Sequence, residues 1–362
     1  MAEKRIVRVG IIGCGGIAWG KHMPSLEQVE NVEMVAFCDI DATKCKDAAA
    51  KYGIKDAKYY TDYKEMLKDQ SIEVVHVLTP NISHSEISVA AMESGKHVMC
   101  EKPMAINYAD AKLMLDTKNK TGKKLTIGYQ NRFREDSTLL RGLCENDELG
   151  EVYYAKAQAI RRRAVPTWGV FLKEKEQGGG PLIDIGTHAL DLTLWFMNNY
   201  KPKSVVGNVY RKLADQKNPG NEWGRWNTEE FTVEDSAFGF VTMENGATIL
   251  VEASWALNTL DIGEAMTTLC GTKGGADMKD GLRINCVEHN TPMTYMPTPR
   301  GREVAFFGKK EVNAAFEEAS QWIDAIINDV EPLVRPEEAI VVTQILDAIY
   351  ESAKAGKPVF FD

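Results

Sequence analysis

The chain has 362 residues, 44% hydrophobic and 26% charged, the composition of a globular protein with room for two domains. Its 43 Lys and Arg against 52 Asp and Glu leave a formal net charge of −9, which excludes a general nucleic-acid or anionic-membrane binder that rests on positive charge. No apolar stretch approaches the roughly 20 residues that span a bilayer, the N-terminal residues lack a signal-peptide pattern, and seven scattered cysteines have neither CxxC nor zinc-ligand spacing; reduced thiols, no metal site and a cytoplasmic location are expected.

The first third alternates two periods. "RVGIIG" (8–13), "EMVAFCD" (33–39), "EVVHVLT" (73–79), "HVMCEK" (97–102) and "KLTIGYQ" (124–130) are short apolar runs rich in Val and Ile. Continuous hydrophobicity of this kind predicts strands buried on both faces, as in a parallel sheet. Between them, "SHSEISVAAMESG" (83–95) and "NYADAKLMLDTKNKTG" (107–122) are amphipathic and end in Gly, a common helix stop. The alternation predicts βαβ units and a doubly wound α/β sheet, a Rossmann-type domain over residues 1–128.

Residues 129–362 change texture and are expected to form an α+β substrate-binding and oligomerisation domain with a large, mostly antiparallel open sheet. "EVYYAKAQAIRRR" (151–163), "KSVVGNVYRKL" (203–213), "SAFGFVTMENGATILVEASW" (236–255) and "EAMTTLCG" (264–271) read as long strands, with "ENG" (244–246) a hairpin turn. One helix, "DIGTHALDLTLWFMNN" (184–199), interrupts them. Phe316, Ala319, Trp322, Ile323, Ile326 and Ile327 form an apolar helical stripe. A last helix starts at Pro336 and ends at Gly356. Both C-terminal helices are free to pack back on the first domain.

"GCGGIA" (13–18) matches G-x-G-x-x-A at a strand-to-helix turn. Gly13 would make the turn, Gly15 would let a pyrophosphate approach the backbone, and Ala18 would allow close helix–strand packing. The amides of Gly16 and Ile17 at the helix start would attract the phosphates. An ordinary turn can carry the same glycines, but Asp39 ends the second run, where a carboxylate would bind the ribose 2′-hydroxyl. The expected cofactor is NAD, with NADP less favoured: Asp39 would repel a 2′-phosphate, Ile40 offers it nothing, and only Lys44 is near.

In a doubly wound sheet ligands bind outside the carboxyl ends of the strands. Thr79 and Asn81 then sit beside the cofactor. His84 either faces it or caps the next helix. Glu101 and Lys102 lie at the same edge, and Pro103 restricts the backbone of Lys102; a solvated strand end would carry the same residues, yet three strand ends converge here. In "GGGPLIDIGTHALDL" (178–192) Asp184 and His188 are four apart, on one helix face, interrupting an apolar helix. "RRRAVPTW" (161–168) is either a solvated strand end or a grip on an anionic or polar substrate, with Trp168 as a sugar-stacking wall. "NPGNEWGRWN" (218–227) either lines the substrate site or buries itself at a subunit contact. His76 and His97 read as core histidines, and His22 and His289 have no evident partner.

Taken in order, G-x-G-x-x-A, Asp39, "TPNISH" (79–84), "EKP" (101–103), "GYQNRF" (128–133) and the 178–192 segment resemble the Gfo/Idh/MocA family of NAD(P)-dependent oxidoreductases over essentially the whole chain. The resemblance implies a Rossmann domain followed by an open sheet used to form a homodimer or homotetramer. It implies hydride transfer between a nicotinamide cofactor and a secondary hydroxyl or ketone of a sugar, glycoside or cyclitol. It matches the family's catalytic residues to Lys102, Asp184 and His188, puts a cis peptide before Pro103, and makes Arg132 and its neighbours border the substrate. Residues 215–230 fit no pattern of the family. The chemistry agrees: His188 would take the hydroxyl proton, Asp184 would orient the substrate or the imidazole, and Lys102 would stabilise the developing alkoxide. Redox-neutral, NAD-dependent glycoside cleavage and non-enzymatic sugar or dinucleotide sensing are the alternatives.

Overall fold

The computed structural model describes residues 5–217, 220–297 and 313–361. The chain divides into two compact units, Met1–Phe133 with Asn313–Ile340, and Arg134–Val312 with Val341–Asp362.

The sheet of the first unit contains β1 (Val7–Ile12), β2 (Val32–Cys38), β3 (Lys58–Tyr60), β4 (Val74–Val77), β5 (His97–Cys100) and β6 (Leu125–Ile127). All pair in parallel, in the order β3-β2-β1-β4-β5-β6. The Val- and Ile-rich runs are buried along almost their whole length, as a sheet covered on both faces requires. β3 gives no apolar signal, because its three residues are largely exposed. Helix Ala314–Ile327 places Ala319, Trp322, Ile323 and Ile326 in the same core as Val9, Ile11, Phe37 and Val74. The stripe read from sequence is therefore buried within the first unit.

Strand order reverses between β1 and β4, the place where such sheets bind ligands. Hydrogen bonds carry the register past the strand ends: Gly13 N–H donates to Cys38 O at 2.8 Å, Leu78 N–H to Ile12 O at 2.7 Å and Glu101 N–H to Val77 O at 3.0 Å. Gly13, Asp39, Thr79 and Lys102 consequently follow the carboxyl ends of β1, β2, β4 and β5 along one edge.

The second unit holds β7 (Val152–Ile160), β8 (Pro202–Tyr210), β9 (Ser236–Met243), β10 (Thr248–Ser254), β11 (Gly263–Gly271), β12 (Gly274–Asp277), β13 (Arg283–Glu288), β14 (Thr291–Tyr295) and β15 (Val359–Phe360). Their order is β14-β13-β12-β11-β7-β10-β9-β8-β15, antiparallel except for β7 with β10. Residues alternate between a buried face and a more exposed one, and helix Thr187–Met197 packs against β7 and β11. β12 to β15 carry too little apolar alternation to be read from sequence. The β13–β14 hairpin turns at His289 and Asn290, both at positive φ, a conformation Asn and His adopt more readily than most residues.

One element differs from expectation in kind. The helix read over 184–199 begins as a π-helical turn, Leu182–Gly186, and becomes α-helical only at Thr187–Met197. A second π turn, Ala18–His22, follows the glycine loop. Such widened turns recur at functional sites. Among the described residues, no helix is long and apolar enough to cross a membrane.

Candidate active site

The glycine turn is dictated by backbone contact. Gly13 has φ 94°, and a Cβ there would lie 2.5 Å from Leu78 O and 3.0 Å from Thr79 N. At Gly15 and Gly16 the opposite holds: an added Cβ would meet nothing within 4 Å, so open space faces their backbone. Ile17 is partly exposed beside them, and Ala18 is buried. Asp39 closes the loop's base: its Oδ2 accepts from Cys14 N–H at 2.8 Å and its Oδ1 from Asp41 N–H at 2.9 Å. The buried Thr79 Oγ1 has no hydrogen-bond partner among the described residues. Open glycines, an anchored carboxylate and an orphaned hydroxyl on one sheet edge fit a dinucleotide.

The stretch 98–105 is buried except at Lys102, which is half-buried. The Lys102–Pro103 peptide is cis, as the resemblance implied. Glu101 does not line the crevice as expected. It is buried; its Oε1 takes Lys21 Nζ at 2.7 Å and His22 Nε2 at 2.8 Å, while Oε2 accepts the Lys102 amide at 2.9 Å. Burial raises the Glu101 carboxyl, but Lys21 and His22 outweigh it and hold the group well below the usual carboxylate range. The carboxylate thus holds the lysine's backbone from behind.

His84 is corrected in the same direction. It is fully buried, with Pro103 O 2.8 Å from Nδ1 and Thr79 O 2.9 Å from Nε2. Its ring ties two strand-end turns together and has no edge left for a cofactor. Arg132 is corrected as well: it is wholly buried, donating to Glu338 Oε2 at 2.6 Å, and so cannot border a substrate. Asn81 is buried in the turn after β4.

Sequence reasoning missed the charge cluster behind Glu101. His22 does have partners, Glu101 and His76, whose Nδ1 lies 3.2 Å from that of His22. Lys21 also pairs with Glu318 at 2.8 Å. The adjacent Lys21-His22, just after the fingerprint on a buried helix start, was the available signal. Burial pushes the Glu318 carboxyl from its ordinary 4.5 up to about 7, against the pull of Lys21. An acid raised this way holds a proton in the folded chain that the unfolded chain has released, so stability falls as pH rises through that window. Glu318→Gln removes the cost. The variant should melt above wild type near pH 8, by the equivalent of about 3 kcal/mol at most, and the gap should shrink on acidification. Melting curves across the window test this, and a gap that widens toward low pH contradicts it.

In the second unit, residues 181–190 are buried except Asp184 and His188. Both are partly exposed in an otherwise buried, apolar segment, Asp184 within the π turn and His188 in the first turn of the α-helix that follows. Asp184 Oδ2 accepts from the indole Nε1 of buried Trp255 at 3.0 Å. Two of the three glycines before the turn are required by packing. A Cβ at Gly179 would fall on the Tyr350 hydroxyl, and one at Gly180 on Glu234 O. Buried Glu234 accepts from Gly180 N–H at 2.8 Å, Leu182 N–H at 3.2 Å and Tyr350 Oη at 2.8 Å. It anchors the start of the turn that carries Asp184, a role that nothing in the local sequence signals. Trp168 is half-exposed in the loop after β7. Of the 218–227 segment, Asn218 and Pro219 lie outside the described residues; Trp226 is buried, and Trp223 lies against Trp168.

Residues 7–129 match the Gfo/Idh/MocA oxidoreductase family, NAD-binding Rossmann fold, and residues 141–361 match that family's C-terminal alpha/beta domain. The chain belongs to the Gfo/Idh/MocA oxidoreductase family. It is 35% identical to D-glucoside 3-dehydrogenase of Escherichia coli K12 over 98% of this chain and 97% of that one. It is 32% identical to inositol 2-dehydrogenase of Salmonella paratyphi B over 55% of this chain and 57% of that one. The structure of levoglucosan dehydrogenase with NADH shares the fold, with a TM-score of 0.82 at 21% identity over 99% of this chain and 100% of that one. As a member of this family the chain is an NAD-dependent oxidoreductase. Its Asp39 should set the preference among dinucleotides: Asp39→Ala should narrow the gap between NAD and NADP affinity by removing both a ribose partner and a repulsive charge. Calorimetric titration of both cofactors tests this, and an unchanged ratio contradicts it.

Proposed function

We propose that this protein oxidises a secondary ring hydroxyl of a sugar or glycoside, with Lys102, Asp184 and His188 as its catalytic residues. The observation that carries the reading is the exposure pattern: two buried apolar segments, 98–105 and 181–190, expose only those three side chains. Bound NAD supplies the hydride acceptor. The alcohol loses a hydride and a proton to become a ketone, and His188 takes the proton from oxygen. Lys102 places positive charge where the oxygen becomes anionic. Glu101 holds the Lys102 backbone, and Asp184, clamped by Trp255, orients either the imidazole or a neighbouring hydroxyl. Thr79, Asp39, Gly15, Gly16 and Ile17 hold the dinucleotide. The two relatives named above act on a glucoside and a cyclitol, which supports this substrate class.

The test is a panel of sugars, glycosides and cyclitols with NAD. Reduced nicotinamide should accumulate, one per hydroxyl oxidised. Aglycone release without net reduced cofactor would transfer the protein to redox-neutral cleavage. We also propose a homodimer or homotetramer built on the open sheet face, where Val206, Phe240 and Leu250 form a partly exposed apolar row across β8, β9 and β10. A monomer mass by light scattering at micromolar concentration contradicts this.

A further inference from the structure

The loop after β7 and the segment 220–227 are joined. Glu222 N–H donates to Arg163 O at 3.0 Å, Asn221 exchanges hydrogen bonds with the backbone of Val165 at 2.8 and 3.0 Å, and Thr167 Oγ1 donates to Trp223 O at 2.8 Å. What these contacts present is a pair of indoles, Trp168 and Trp223, with ring centroids 5.0 Å apart and planes at 72°. Trp168 stays 52% exposed and Trp223 41%. Large rings are normally the first groups a fold buries, and Trp226 of the same segment is buried with its Nε1 on Ala214 O. Here two are fixed by backbone contacts and left open.

The pair is tied to Asp184. The Arg161 guanidinium lies 5.2 Å from the centre of the Trp223 ring and is held by both oxygens of Glu264 at 2.6 Å. The backbone gives the link. Ala164 N–H donates to Trp255 O at 2.9 Å, and the Trp255 indole holds Asp184. Asp184 and the loop that carries the indole pair are thus joined through Trp255 within the same unit.

We propose that Trp168 and Trp223 form a second ring-binding subsite, so that the substrate is a glycoside carrying a further ring beyond the sugar that is oxidised. The inference rests on the reading of Asp184 as a substrate-orienting residue. The C–H face of a pyranose or the face of an aromatic aglycone is apolar and flat, and an open indole pair takes either without needing hydrogen bonds. Arg161 lies against the Trp223 ring, and its own charge is paired with Glu264.

The test compares glucose, methyl glucoside, a glucosyl disaccharide and an aryl glucoside, with NAD, in wild type and in Trp223→Ala and Trp223→Phe. Wild type should favour the two-ring substrates over methyl glucoside in kcat/KM by about 10-fold or more, the scale of one buried aromatic contact. Trp223→Ala should collapse that ratio and Trp223→Phe should restore most of it. The disaccharide and aryl arms show which kind of ring is preferred. Equal kcat/KM for one-ring and two-ring substrates in wild type overturns the subsite, and so does a ratio that survives Trp223→Ala. A lower oligomer mass for Trp223→Ala in light scattering also overturns it, since the pair would then be a subunit contact. If no compound yields reduced nicotinamide, the oxidation reading fails, and calorimetric binding of the aryl glucoside to the NAD-loaded protein decides the subsite alone. Binding that is lost in Trp223→Ala upholds it; no binding to wild type overturns it.

Discussion

Gly13→Ala should unfold or severely destabilise the first unit, while Gly15→Ala and Gly16→Ala should leave it folded and weaken NAD binding instead. At Gly13 two costs add. The backbone sits at φ 94°, where an L side chain is strained, and the new Cβ would press on the carbonyl of Leu78, 2.5 Å away. That carbonyl cannot step aside cheaply, because Leu78 N–H is bound to Ile12 O at 2.7 Å in the sheet. Together the two costs are on the order of 3 kcal/mol or more. Gly15 and Gly16 have no such neighbour, and what a methyl group there removes is the open space beside their amides. Thermal melting and NAD calorimetry on the three variants separate the effects. Wild-type melting of Gly13→Ala contradicts the packing account, and undiminished NAD affinity in the other two contradicts the cradle.

The same contrast shows what the sequence can and cannot express. The parallel sheet was legible because its strands are buried on both faces, so that Val9, Ile11, Val74 and Val98 stand in unbroken apolar runs. The hairpin at "ENG" was legible through Gly246, which does sit at positive φ. β13 and β14 were not, since nearly every residue in them is at least partly exposed and neither face repeats an apolar pattern. Site residues divide by direction rather than by type. Residue identity and spacing bring Gly13, Asp39, Thr79 and Lys102 to one edge, but they do not say which way Glu101, His84 and Arg132 turn. Each of those three has a charged or polar head that only a tertiary partner satisfies: Lys21 and His22, two backbone carbonyls, and Glu338. Except for Thr79 O, five residues before His84, those partners lie 19 to 206 residues away in sequence, and no local pattern announces them. The π turn at Leu182–Gly186 is hidden for a related reason: its apolar residues keep a helical pattern, and its tertiary contacts, Gly186 close to Ala253 and Gly180 held by Glu234, leave no local mark.

Lys102→Ala should cut kcat on the order of 10²-fold or more while the protein stays folded. Two contacts at that turn do not depend on the lysine side chain: Glu101 accepts the Lys102 amide, which alanine keeps, and His84 holds Pro103 O. His188→Ala should differ in kind. Loss of the proton acceptor costs roughly 10²–10⁴-fold and should flatten the pH dependence near neutrality. Neither change touches the glycine turn or Asp39, so NAD affinity should move little in both. The most direct measurement is kcat of folded Lys102→Ala on a glycoside that wild type oxidises, taken beside its NAD dissociation constant. The account predicts a turnover lower by two orders of magnitude or more with a nearly unchanged dissociation constant. Near wild-type turnover would contradict it and return Lys102 to a solvated strand end.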